Sequence, residues 1–127
     1  MNTEGRGETA ATILVIDDNS CIRNLLARLL QRYGRVECAA TVDEGLQIFS
    51  RCEPGLVITD YEMPGRNGID GIRAMKALAP GVHIVMLTGS ATRELIDEAK
   101  REGACECLEK PFGLDALREL TARCLAV

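Results

Sequence analysis

Apolar and polar positions along this chain switch repeatedly between two periods. Unbroken apolar runs, Thr12 to Ile16, Leu56 to Thr59 and Val82 to Leu87, read as strands buried on both faces. Val36 to Ala40 is a weaker run of the same kind, and Cys105 to Leu108 is a fifth. Between the runs, apolar residues return every three or four positions, the spacing of a helix with one buried stripe. Ile22, Leu25, Leu26, Leu29 and Leu30 form the first stripe, and Leu46 and Phe49 mark the second. Ile69, Ile72 and Leu78 lie in a third helix from about Asn67 to Ala79. Leu95, Ile96 and Ala99 lie in a fourth from Glu94 to Glu102, and a fifth runs from Gly113 to about Leu125.

The punctuation agrees with this reading. Asn19 or Ser20 is placed to cap the first helix and Gly34 to end it. Thr41 and Glu44 make the Thr-x-x-Glu capping box of the second. Pro54-Gly55, Met63 to Gly68, Pro80-Gly81 and Gly103 fall where one period gives way to the other. Five alternating strand–helix units predict an α/β domain, a parallel sheet with helices on both faces.

Candidate chemistry collects where the strands end. Asp17 and Asp18 follow the first run, Asp60 the third, Thr88 the fourth, and Lys110 comes just after the fifth. Each alone reads as a cap, a turn residue or a surface lysine. In a parallel sheet, however, all five share the carboxyl edge, where open α/β sheets bind ligands. Three crowded carboxylates repel one another and call for a hard divalent cation, for which magnesium is suited. A lysine and a hydroxyl beside them suit phosphoryl oxygens. Asp60 is the candidate nucleophile, since a carboxylate can attack phosphorus to give an aspartyl phosphate. Asp17 and Asp18 are the candidate metal ligands, and Gly89 leaves room for an approaching group.

Composition narrows the class. A chain of 127 residues, 46% apolar and 27% charged, suits one globular domain, here residues 11–127 behind a flexible tail of residues 1–10. With aromatics at 3%, the core must be aliphatic. A net charge of −4 argues against direct nucleic-acid binding. Met1 to Ala10 lack the apolar stretch of a signal peptide, and no run is long enough to span a membrane, so a cytoplasmic location is expected. Six cysteines do not make a disulfide framework in such a chain. Cys21, Cys38, Cys52 and Cys124 read as small buried hydrophobes, and Cys105 and Cys107 as a pair on one strand face. His83, inside the fourth run, reads as structural, and Arg66 and Arg93 as solvated residues flanking the site edge.

The motifs Val15-Ile16-Asp17-Asp18-Asn19, Ile58-Thr59-Asp60-Tyr61-Glu62-Met63-Pro64, Leu87-Thr88-Gly89 and Glu109-Lys110-Pro111-Phe112 appear in this order and spacing. On them the chain resembles the CheY-like receiver domain of two-component response regulators, from Thr12 to Leu125. That resemblance implies a flavodoxin-like (βα)5 fold with strand order 2-1-3-4-5. It implies that Asp60 is the phosphoacceptor. Asp17, Asp18, Asp60 and the backbone carbonyl of Glu62 would then hold Mg2+, with Mn2+ as an alternative. Thr88 and Lys110 would sense the phosphoryl group. The implied donor is a phosphohistidine on a sensor histidine kinase or a histidine phosphotransfer protein. The implied output is a surface of the fourth helix, fifth strand and fifth helix. That surface would act on a downstream effector domain or protein, and dimerisation through the fourth helix is common among relatives.

Two positions depart from the family pattern. Cys107 stands at the switch position, three residues before the lysine, where relatives carry an aromatic. Glu62 places another carboxylate two residues after Asp60, where the family tunes phosphate lifetime. Two rival readings follow. A phosphorylation-independent interaction module would keep the site as a relic, which Cys107 favours. A phosphatase or dehalogenase with an aspartyl intermediate would use Glu62 as its acid/base. No G-x-G-x-x-G follows the first strand, against a dinucleotide site. The pattern closes with the fifth helix, as expected for a single-domain regulator or for a receiver belonging to a longer protein.

Overall fold

The computed structural model describes residues 11–125, so the expected tail of residues 1–10 lies outside the described residues. Strands β1 (Ala11–Ile16), β2 (Gly34–Ala39), β3 (Leu56–Asp60), β4 (His83–Thr88) and β5 (Glu106–Glu109) alternate with helices α1 (Ser20–Leu30), α2 (Val42–Cys52), α3 (Gly68–Leu78), α4 (Arg93–Glu102) and α5 (Leu114–Leu125). The sheet is parallel throughout, with order β2-β1-β3-β4-β5. The α/β class, the five units and the strand order all stand as expected.

The sheet divides two aliphatic layers by simple alternation. Leu14, Ile16, Val57, Ile84 and Met86 face one side, where they meet Ile48 and Phe49 of α2, Ile69, Ile72 and Met75 of α3, and Ala99 of α4. Ile13, Val15, Leu56, Ile58, Val85 and Leu87 face the other, against Leu26 and Leu30 of α1 and Leu117 and Leu120 of α5. Each such aliphatic side chain taken from water contributes about 1.5–3 kcal/mol before chain entropy is counted. Two full layers therefore fix the register that lines up the strand ends.

Helix starts follow local chemistry. Asn19 accepts from the backbone N–H groups of Cys21 and Ile22, and Thr41 from that of Glu44. Asn67 and Asp70 form a reciprocal capping box on α3. Three sequence expectations shift. Helix α1 stops at Leu30 and continues as a 3-10 turn over Gln31–Tyr33, and Gly34 both ends that turn and opens β2. A Cβ on Gly34 would sit 2.1 Å from the Ala11 carbonyl oxygen, so glycine there serves strand pairing. Cys21 is exposed, not buried, and Cys105 falls one residue before β5.

Candidate functional site

Backbone bonds beyond the ladders hold the strand ends level. The Asp17 N–H donates to the Ala39 carbonyl (3.0 Å), that of Tyr61 to Leu87 (2.8 Å) and that of Lys110 to Thr88 (2.7 Å). The carboxyl edge thus presents Asp17, Asp18, Asp60, Thr88 and Lys110 together, as the strand-end argument requires. Gly68 lets the start of α3 pack onto this edge. A Cβ there would lie 2.5 Å from the Asp60 carbonyl oxygen, a backbone atom that cannot yield cheaply.

Oxygens of Asp17, Asp18 and Asp60 lie within 4.8 Å of one another. Asp17 and Asp60 are buried and Asp18 is exposed, so the cluster opens to solvent on the Asp18 side. Asp17 Oδ1 accepts from the Asn19 N–H (2.9 Å), and Arg23 Nη1 donates to the Asp17 carbonyl (2.7 Å), which together lock the loop into α1. Lys110 Nζ sits 3.2 Å from Asp17 Oδ2 and 3.1 Å from Asp60 Oδ1. The second contact is charge pairing at an angle that leaves Oδ1 without a hydrogen bond. A buried carboxylate oxygen with no hydrogen bond, beside two further acids, is what an oxygen-seeking dication would satisfy.

The charges are correspondingly displaced. Burial raises the Asp60 carboxyl to about 6, and the Asp17 charge adds to that, while Lys110 works in the opposite direction. Burial works against the charge on Lys110, but Asp60 and Asp17 outweigh it and hold its pKa above that of an ordinary lysine. The Glu62 carboxyl is held below its ordinary value. Desolvation opposes its charge, but hydrogen bonds from Thr88 and Gly89 prevail.

The Glu62 side chain is what sequence reasoning missed. Thr88 Oγ1 donates to Glu62 Oε2 (2.7 Å), and the Gly89 N–H donates to both carboxylate oxygens at 3.2 Å. Expectation had its carbonyl on the metal and its carboxylate tuning phosphate lifetime or serving as an acid/base, but not bonded to Thr88 and Gly89. The Thr88 hydroxyl and the Gly89 N–H are therefore already engaged by an internal carboxylate. An acid two residues beyond Asp60 was visible in the sequence, but its reach back across the loop to β4 was not. Cys107 is half-buried, packs against the α2–α4 layer, and has its thiol pKa pushed up by burial. Arg66 pairs with Asp43 at 2.9 Å.

Similarity to known proteins agrees with this edge chemistry. The response regulator receiver domain family matches residues 13–122. The chain is 31% identical over 114 residues to sporulation initiation phosphotransferase F of Bacillus subtilis, covering 89% of this chain and 92% of that one. It is 34% identical over 108 residues to the transcriptional regulatory protein LnrK of the same organism, covering 83% of this chain but 49% of LnrK. Relatives therefore include proteins of about this length and proteins roughly twice as long. A response regulator receiver domain structure from Clostridium thermocellum superposes with a TM-score of 0.85 at 34% identity, covering 91% and 94% of the two chains.

The chain belongs to the receiver domain family of two-component response regulators, and its function is phosphorelay signalling. Receiver domains are signalling modules, not turnover enzymes. They bind Mg2+ at an acidic cluster and work with histidine kinases and effector domains. Among the described residues no helix is long and apolar enough to cross a membrane.

Proposed function

We propose that Asp60 accepts a phosphoryl group from a phosphohistidine donor in a magnesium-dependent reaction. A carboxylate oxygen of Asp60 attacks phosphorus, the P–N bond breaks, and the departing imidazole keeps the electron pair and takes a proton from water. The observation that carries this reading is the buried Asp60 carboxylate, flanked by two acids and faced by Lys110 at 3.1 Å. The donor set fits Mg2+, or Mn2+ in its place: all oxygen, closely spaced, with one buried oxygen lacking a hydrogen bond. Asp17, Asp18, Asp60 and the Glu62 carbonyl would hold the ion. Once bound, it neutralises charge on the acids and on the phosphoryl oxygens. Lys110 then turns from its two carboxylates to a phosphoryl oxygen.

Thr88 supplies the switch. Its hydroxyl exchanges Glu62 for a phosphoryl oxygen, and the end of β4 moves inward. The short bond from the Lys110 N–H to the Thr88 carbonyl couples that movement to β5. Coupling through this backbone bond needs no aromatic at Cys107. The surface altered is α4–β5–α5, the face offered to a downstream effector or to a second copy of the chain. The donor is a sensor histidine kinase or a histidine phosphotransfer protein.

Asp18→Ala tests the metal role with least risk to the fold, because Asp18 is exposed. Calorimetric titration should show Mg2+ affinity reduced by about tenfold or more, and acetyl phosphate labelling reduced with it. Unchanged Mg2+ affinity removes Asp18 from the metal site. Glu62 gives a second test. Glu62→Ala frees Thr88 Oγ1 and the Gly89 N–H for the phosphoryl group, so labelling by acetyl phosphate should proceed severalfold faster. Rapid-quench labelling measures this, and a slower rate would show that Glu62 assists transfer instead of competing with it.

A further inference from the structure

The amino edge of the sheet carries a second group of metal-binding side chains, far from the acids. His83 opens β4, Cys105 lies in the bend before β5, and Cys124 sits in the last turn of α5. One ligand atom from each falls within 4.8 Å of the others. They line one open pocket with Glu106 and Arg123. The five steps of β4 from His83 to Thr88 separate this pocket from the phosphoryl-binding edge by about 16 Å.

From this geometry we propose that His83, Cys105 and Cys124 form a binding site for a thiophilic divalent cation of the Zn2+ type. Two Zn–S bonds of about 2.3 Å at the tetrahedral angle place their sulfurs about 3.8 Å apart. Cys105 Sγ and Cys124 Sγ are 3.7 Å apart. Packing accounts for Cys124, which is half-buried against the α1–α5 layer. It does not account for an exposed thiol and an exposed imidazole turned onto the same point. The expected Cys105–Cys107 pair does not form. Cys105 precedes the strand, so strand alternation does not govern it, and Cys107 packs into the opposite layer.

Ligand chemistry separates the two edges. Two sulfurs and an imidazole select a soft or borderline cation, whereas the all-oxygen cluster at the carboxyl edge selects a hard one. The fourth position at the amino edge faces solvent beside Glu106. Bound there, the ion clamps the end of α5 to the starts of β4 and β5. The site is independent of which residue accepts a phosphoryl group.

Co2+ is the probe, with a phosphine reductant present and excess Mg2+ occupying the carboxylate cluster. The wild-type chain should develop a thiolate-to-cobalt charge-transfer band and the strong visible bands of a tetrahedral ion, both lost on adding Zn2+. Cys105→Ser and His83→Ala should each weaken Zn2+ binding by about tenfold or more, whereas Cys21→Ser should not. Zn2+ should raise the Tm of the wild type but not of Cys105→Ser. Circular dichroism and Asp60 labelling confirm that the variants are folded, as the exposure of His83 and Cys105 leads one to expect. Absence of the charge-transfer band, or equal Zn2+ affinity in wild type, Cys105→Ser and His83→Ala, overturns the site.

Discussion

Asp60→Asn abolishes phosphoryl labelling and, in the absence of divalent ions, makes the protein more stable at neutral pH. The first effect follows from chemistry. An amide is a poor nucleophile toward phosphorus, and Asp17 and Asp18 are committed to the metal on the proposed reading. The second follows from burial. The Asp60 carboxyl is raised to about 6 from an ordinary value of 3.8. Between these values the folded chain holds the proton more tightly than the unfolded chain, so folding stability falls as pH rises through that window. Above pH 6 nearly the whole penalty is present, on the order of 3 kcal/mol, and below about pH 4 it is gone. Denaturant unfolding without magnesium should show the variant ahead of wild type at pH 8 and level with it near pH 4. A variant less stable at pH 8 would mean that the Lys110 pair outweighs the desolvation of Asp60.

Lys110→Ala should act in the opposite sense on stability. Lys110 is the cation beside both buried acids, at 3.2 Å from Asp17 and 3.1 Å from Asp60. Removing one partner of a buried pair costs about 3–5 kcal/mol. The lysine side chain is 25% exposed, so a loss of about 1–3 kcal/mol is expected here. Magnesium should recover most of that loss, because it replaces the missing positive charge. Its affinity should rise in the variant, since Lys110 no longer competes for the same carboxylates. Labelling of Asp60 should fall, because the phosphoryl oxygens lose their partner. Unfolding measured with and without Mg2+ separates these effects. A variant as stable as wild type without metal would show that solvent screens the pair.

The parts of this molecule written in periodic patterns were legible in its sequence. The aliphatic runs of β1, β3 and β4 and the stripes of α1 to α4 announce a two-layered parallel sheet, because burial on both faces leaves few other arrangements. Asp17, Asp60, Thr88 and Lys110 were legible for the same reason, since a residue at a strand's carboxyl end has only one edge to occupy. Strand order was not in the periodicity and came from motif resemblance. Contacts set by loop path and rotamer were not visible. Glu62 folds back onto Thr88 and Gly89 across a turn whose course no pattern records. Cys124 meets Cys105 because α5 packs antiparallel to the strands and brings its last turn down to their starts. Gly34 read as a helix stop because glycine favours that role. In the structure the close approach of the Ala11 carbonyl, a tertiary contact, decides its place.

The central claim is that acids, lysine and hydroxyl from distant strands serve one acceptor, Asp60. Labelling with acetyl phosphate and Mg2+, then borohydride reduction and peptide mass spectrometry, tests it most directly, because reduction converts a phosphorylated aspartate to homoserine at its own position. The account predicts homoserine at position 60 alone, and none when magnesium is chelated. Homoserine at position 17 or 18 instead, or equal modification with the metal removed, would contradict it.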